Sequence, residues 1–262
     1  QDLDDVLKIL CSSQKPILIG GHGVWWSGAE LKLEAVGQSL NIPVYNIPYH
    51  QKLLPETSEV YMGLADIHQY PPSKKALEES DVVVMIGGRL DNQMNFGNPP
   101  LFPASTQLIC VNGSAEEIEL NRVADKVLLS DPGAFLDVLV QLKDSNRWQL
   151  GLTWIDEQRM RRGKWVNQTL TAIDSDNSSA SGVHPLQLAL DVQSVMDSKD
   201  WLVIDGGNTH FWSEIAINVA GWRGQKLAGI LHPGAFSMLG VGVSFALAAK
   251  LTHPDANAVV IS

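Results

Sequence analysis

The chain predicts an α/β protein of two doubly wound parallel-sheet domains, the second incomplete. Three observations carry this. Continuous apolar runs such as "PILIG" and "VVVMIGG" alternate with segments of helical period. Such runs suit parallel strands covered on both faces, where strict apolar–polar alternation would mark a half-exposed sheet. The alternation lapses over 146–183, a polar stretch, and then resumes up to an apolar run that reaches Ser262.

In the first domain, 1–145, "KPILIGG" (Lys15 to Gly21) reads as a buried strand and "AELKLEAVGQSLN" as the helix after it. "IPVYNI" is the next strand, "ALEESD" closes a short helix, and "DVVVMIGG" (Asp81 to Gly88) is the strongest strand of this half. Strand "TQLICVN", helix "AEEIELNR", strand "DKVLLS" and helix "PGAFLDVLVQL" complete a Rossmann-like domain of about 140 residues. The stretch 146–183 reads as a linker, with a polar, basic helix at "DEQRMRRGKWVNQTL" and a flexible loop at "DSDNSSASG". After His184 and Pro185 come helix "LQLALDVQSVM", strand "DWLVIDGG", helix "THFWSEIAIN", strand "KLAGIL", helix "FSMLGVGVSFALAAKLT" and strand "NAVVIS". A parallel strand at Ser262 stops at the edge where α/β ligand sites are built, so the domain 184–262 is expected to be cut short.

Composition narrows the function classes. The 262 residues carry a formal charge of −10, which disfavours a general binder of nucleic acid or other polyanions. No apolar run reaches the roughly eighteen residues that a membrane span needs. Cys11 and Cys110 sit in apolar surroundings without metal-ligand spacing, and the acidic, amphipathic start is unlike a signal peptide. A cytoplasmic location is therefore expected, and the sequons at Asn112, Asn167 and Asn177 read as chance matches. G-x-S-x-G, H-E-x-x-H and C-x-x-C are all absent, and the seven histidines are scattered, so no metal site is assigned.

Two stretches bear on ligand chemistry. In "IDGGNTHFW" a strand turns through two glycines into a helix, which leaves backbone N–H groups at a positive dipole end and suits a phosphate. Asn208 and Thr209 could add donors, or the stretch could be a plain tight turn with Thr209 as its cap. In "HPGAFSMLGVGVSFALAAK" (His232 to Lys250), Gly234, Gly240 and Gly242 permit unusual backbone and close approach. The segment from Met238 to Leu251 is apolar nearly all round, so a core helix is expected there. Phe245 stands where a dinucleotide fingerprint needs its third glycine. In the first domain, "GGHGVW" and "GGRLDNQMNFG" follow strands, and Arg89 could pair with a phosphate or carboxylate or form a surface ion pair.

Taken in order, "PILIGGHG", "LNIPVYN…KLLPE…YMGLAD", "DVVVMIGGRLDNQMNFG", "AEEIELNR", "VIDGGNTHFW" and "SMLGVGVSFALAAKL" form a recognisable set. The chain resembles the central domain and the first part of the pyrophosphate-binding domain of thiamine-diphosphate enzymes of the acetolactate synthase type. The resemblance implies that Gly207, Asn208 and Thr209 contact the cofactor diphosphate. It makes Leu239 the bulky wedge between the two cofactor rings and gives the Ser237 carbonyl a hydrogen bond from the aminopyrimidine. The wedge brings the exocyclic amine beside the thiazolium carbon and excludes water.

The implied activity is decarboxylation of a 2-oxo acid and transfer of the remaining acyl anion equivalent to a second carbonyl, with the cofactor as electron sink. Mg²⁺ ligands are expected beyond Ser262, and the activating glutamate on an N-terminal domain outside this chain. A homodimer or homotetramer with active sites between subunits is implied as well. The resemblance admits FAD or an ADP-type nucleotide in the central domain, with Arg89 as its contact, although Asn112 stands where such members carry an acidic residue. "GGRLDNQMNFGNPP" also resembles 2-hydroxyacyl-CoA lyases and oxalyl-CoA decarboxylases, which makes an acyl-CoA substrate the alternative. A non-catalytic nucleotide-binding module is the third reading, disfavoured by the helix that follows "DGGN".

Overall fold

The computed structural model describes every residue except 1, 48–52, 56, 119, 143–147, 149, 180–181, 223, 225–226 and 235–237. The chain divides into two compact units, residues 1–48 with 58–162, and residues 49–57 with 163–262.

The first unit is built on helix α1 (Asp2–Ser12), strand β1 (Pro16–Gly20), helices α2 (His22–Trp26) and α3 (Glu30–Leu40), and strands β2 (Val44–Asn46) and β3 (Tyr61–Leu64). Helix α4 (Pro71–Glu79), strand β4 (Val82–Ile86), a 3-10 turn (Asn92–Gly97), strand β5 (Gln107–Asn112), helix α5 (Ala115–Ile118), strand β6 (Lys126–Leu129) and helix α6 (Pro132–Leu142) follow. The strands form one parallel sheet in the order β3-β2-β1-β4-β5-β6. Strand order reverses between β1 and β4, the place where doubly wound folds build ligand sites. Every residue of β1 and β4 is buried, as their unbroken apolar runs require.

Register positions the turns at this edge. Gly20 pairs with Ile86, so the segments after β1 and β4 leave the sheet side by side. At the other end the Asp81 carboxylate accepts the N–H groups of Gln14 (2.6 Å) and Lys15 (3.0 Å), which fixes where β1 begins. The sequence reading missed β3. Four residues with a glycine third give no periodicity, and only pairing with β2 makes them a strand.

Helix α7 (Thr153–Ser179) occupies most of the stretch read as a linker. Its first part has a buried face that the basic composition hides. Trp154, Ile155, Gln158 and Arg162 are buried, and the Trp154 indole donates to the Pro16 carbonyl at 2.9 Å. The helix also runs on to Ser179, through part of the "DSDNSSASG" segment expected to be a loop.

The second unit holds α8 (Pro185–Ser194), β7 (Trp201–Ile204), α9 (Asn208–Trp222), β8 (Gly229–Leu231), α10 (Gly242–Thr252) and β9 (Ala258–Ile261). The strands are parallel in the order β8-β7-β9. One core cluster joins Val166 and Ile173 of α7 to Leu186, Ala189 and Leu190 of α8 and to Ala216, Val219 and Ala220 of α9. The Asp200 carboxylate ties β7 to β9 by accepting the Asn257 backbone N–H (2.9 Å) and side-chain amide (3.1 Å).

Helix α10 differs from expectation. It begins at Gly242, and among its residues Gly242 and Ala249 are buried while Val243, Leu247 and Leu251 are well exposed. A sheet of three strands covers one stripe of a helix, so an all-round apolar sequence leaves the rest uncovered among the described residues.

Candidate cofactor site at the edge of the second sheet

Strand β7 ends at Ile204, and the chain turns through Asp205, Gly206 and Gly207 into α9. Gly206 has φ +130° and Gly207 +67°, values that favour glycine. The Asp205 N–H continues the sheet by donating to the Ile261 carbonyl at 3.0 Å. The Thr209 hydroxyl donates back to the Gly206 carbonyl at 2.6 Å, and the His210 N–H reaches the Gly207 carbonyl at 3.1 Å. Thr209 thus closes the turn with its side chain. Ahead of His210, the N–H groups that open α9 precede its hydrogen-bonded turns, and they carry the positive end of a 15-residue helix. Gly207 and Asn208 beside them are exposed.

The segment before α10 lies over this turn. A Cβ on Gly206 would stand 3.1 Å from Leu239 Cδ2 and 3.4 Å from the Met238 carbonyl oxygen. The same Leu239 carbon is 3.5 Å from where a Gly207 Cβ would be. Leu239 nevertheless keeps 70% of its surface exposed, and Met238 62%. This large apolar side chain rests on a glycine turn and otherwise faces outward, which leaves it open to a ligand at the turn. Asp205 Oδ1 accepts the Gly240 N–H (2.8 Å) and the Gly242 N–H (2.9 Å), which joins the two walls.

Of the residues singled out from sequence, Gly207, Asn208, Thr209 and Leu239 therefore gather at one sheet edge. Ser237 lies outside the described residues. Arg89 is in the other unit, after β4, where its guanidinium Nε is 2.9 Å from Glu117 Oε2 of α5. The Asn112 side chain is engaged within its unit, its Oδ1 accepting the Ser114 N–H at 3.1 Å and its Nδ2 donating to the Gly88 carbonyl at 3.5 Å.

The Gly-rich turns around Arg89 are closed on one another. The Gly21 N–H donates to the Ile86 carbonyl at 2.9 Å and the Gly23 N–H to the Gly87 carbonyl at 2.7 Å. Those two donors are spent on β4 and its turn and are not offered to a phosphate. His22, between them, is an exposed residue whose pKa is lowered, first by partial desolvation of the imidazole and then by the charge of Arg89.

Sequence reasoning passed over two features of the second unit. Asp205 is one; an aspartate directly before two glycines was the available signal. The other is a buried pair on α9, His210 Nε2 with Glu214 Oε1 at 3.1 Å, its imidazole 5.4 Å (ring centroids) from that of His232. The His-x-x-x-Glu spacing was visible, but the nearness of His232 is tertiary. Among the described residues, no three His, Cys, Asp or Glu side chains are arranged to hold a metal ion.

The turn fits a diphosphate and an apolar ring system by its donor set and by the ledge that Leu239 forms above glycine backbone. Comparison with known proteins bears on the family of the chain. The family model described as "Thiamine pyrophosphate enzyme, central domain" matches residues 3–139. The chain is 26% identical to 2-hydroxyacyl-CoA lyase 1 of Mus musculus, over 95% of its own length and 40% of that protein. It is 23% identical to a probable acetolactate synthase large subunit of Methanococcus aeolicus, over 100% of this chain and 44% of the relative. A Rhodococcus jostii thiamine diphosphate-dependent 4-hydroxybenzoylformate decarboxylase shares the fold, with a TM-score of 0.68, 19% identity, and coverage of 98% of this chain and 45% of that one. The chain thus spans less than half the length of these relatives, and by the match over its first unit it belongs to the thiamine pyrophosphate enzyme family.

Proposed function

We propose that the chain is part of a thiamine-diphosphate-dependent lyase or carboligase of the acetolactate synthase type, which decarboxylates a 2-oxo acid and transfers the resulting acyl anion equivalent. The observation that carries this reading is Leu239, exposed yet seated on the Gly206–Gly207 turn at the N-terminus of α9. Backbone N–H groups at Gly207, Asn208 and Thr209 would hold the diphosphate, where the helix dipole favours negative charge. Leu239 would separate the two rings and keep water from them. Ser237 keeps the role the resemblance assigns it, acceptor of a hydrogen bond through its backbone carbonyl. The cofactor supplies the electron sink when bound; these residues bind and orient it.

Mg²⁺ accompanying the diphosphate, a homodimer or homotetramer with active sites between subunits, and a cytoplasmic location belong to the same proposal. An FAD or ADP-type nucleotide in the central domain would meet Arg89, which must leave Glu117 to take a phosphate.

A second reading has specific support. Relatives that act on acyl-CoA match as well as the synthases do, including 2-hydroxyacyl-CoA lyase 2 of Homo sapiens at 27% identity. An assay of the full reading frame with thiamine diphosphate and Mg²⁺ decides between them. Acetolactate from pyruvate supports the first. Cleavage of a 2-hydroxyacyl-CoA without acetolactate assigns the second, and turnover of neither would refute both of these substrate assignments.

A further inference from the structure

We infer that Asp205 is a positioning residue, whose carboxylate sets the height and direction of Leu239 above the diphosphate turn. Its bearing on the cofactor rests on the function proposed above; its bearing on Leu239 does not.

A single carboxylate oxygen, Asp205 Oδ1, accepts two backbone N–H groups, from Gly240 and Gly242, on either side of Val241. Leu239 directly precedes the first. Its side chain has little packing of its own, with 70% of its surface exposed. Packing therefore does not hold it, and the backbone on which it stands must. Gly240, at φ +90°, allows the chain to curl back towards the carboxylate. Gly242 leaves room for it, since a Cβ there would fall 3.1 Å from Asp205 Cβ and 3.2 Å from Cγ. Asp205 in turn is anchored to the sheet through its own N–H on the Ile261 carbonyl. The path from rigid sheet to wedge is thus β9, Asp205, Gly240 and Leu239. Hydrogen bonds to an ionised acceptor are the stronger kind, which suits one atom to hold a turn against solvent.

The test compares Asp205→Ala, Asp205→Asn, Leu239→Ala and the double variant Asp205→Ala/Leu239→Ala in the full chain. Without cofactor, amide exchange at Gly240 and Gly242 and the Leu239 methyl-to-Gly206 Hα Overhauser contact report the clamp directly. In Asp205→Ala exchange should quicken at both amides by about tenfold or more and the contact should vanish, given the strength of bonds to charged acceptors. Asp205→Asn, which keeps an acceptor oxygen, should restore most of both. Thiamine diphosphate affinity with Mg²⁺, followed by tryptophan fluorescence, should fall about tenfold in each single variant, and no further in the double, because both act through one side chain. Unchanged exchange and contact in Asp205→Ala would overturn the inference, as would losses that multiply in the double variant. Wild-type protein that binds no thiamine diphosphate, while Asp205→Ala still loses the contact, would refute the proposed function and leave the clamp standing.

Discussion

The C-terminal edges of the two sheets carry similar sequences, "IGGHG" and "IGGR" in the first, "IDGGN" in the second, and use them differently. In the first unit the glycines serve backbone against backbone. A Cβ on Gly21 would fall 2.5 Å from Gly88 Cα and 2.6 Å from the Gly87 carbonyl oxygen. In the second unit the glycines lie under a side chain, Leu239, and leave Gly207 and Asn208 open. A strand followed by two glycines therefore marks a close approach in both units. What approaches, and whether the N–H groups remain available, differs.

Substitution should separate the two uses. Gly21→Ala is expected to have the largest effect, because the clash is with backbone that cannot swing away. A loss of about 3 kcal/mol or failure to fold is expected, read from urea unfolding of the first unit. A cost below about 0.5 kcal/mol would show that the two turns can part. Leu239→Ala should do the reverse. An exposed side chain leaves no cavity, so stability should move by less than about 0.5 kcal/mol, while thiamine diphosphate affinity falls about tenfold. Wild-type affinity in that variant would refute the wedge.

Arg89→Ala should have the smallest effect, since its ion pair with Glu117 is half exposed and such pairs contribute about 0–1 kcal/mol. Its signature lies in pH. His22 has a folded-state pKa below the ordinary 6.5 because of partial desolvation first and Arg89 second. The unfolded chain then binds the proton more readily, so the contribution of His22 to stability is fully present above pH about 6.5 and is lost as pH falls below it. Removing Arg89 lifts one of the two causes, and the drop in melting temperature between pH 7.5 and 5 should shrink. An unchanged drop would leave desolvation as the whole cause.

Much of the fold was legible in the residues. Runs such as "PILIG" and "VVVMI" can be satisfied in water only by burial on both faces, and they became β1 and β4. The glycine turns after β4 and β7 were visible because few other residues adopt their backbone. The short edge strand β3 was not, because its strand character comes from its neighbour. Helix α10 was misjudged as wholly buried, because an apolar sequence states what a helix would prefer to cover and not how many strands lie beside it. At the candidate site, Gly207, Asn208, Thr209 and Leu239 were named from motif order. Asp205 was missed, since its partners are 35 and 37 residues away and no local period records them.

The sequence by itself determined the parallel α/β class, the glycine turns at strand ends and the family, because these depend on local period, backbone permissiveness and motif order. Tertiary structure alone decided which donors stay available. It spent the N–H groups of Gly21 and Gly23 on β4 and its turn, paired Arg89 with Glu117, and brought the Asp205 carboxylate to Gly240 and Gly242. Hydrogen bonds are filled by whatever lies within about 3 Å, and chain separation carries no information about that distance.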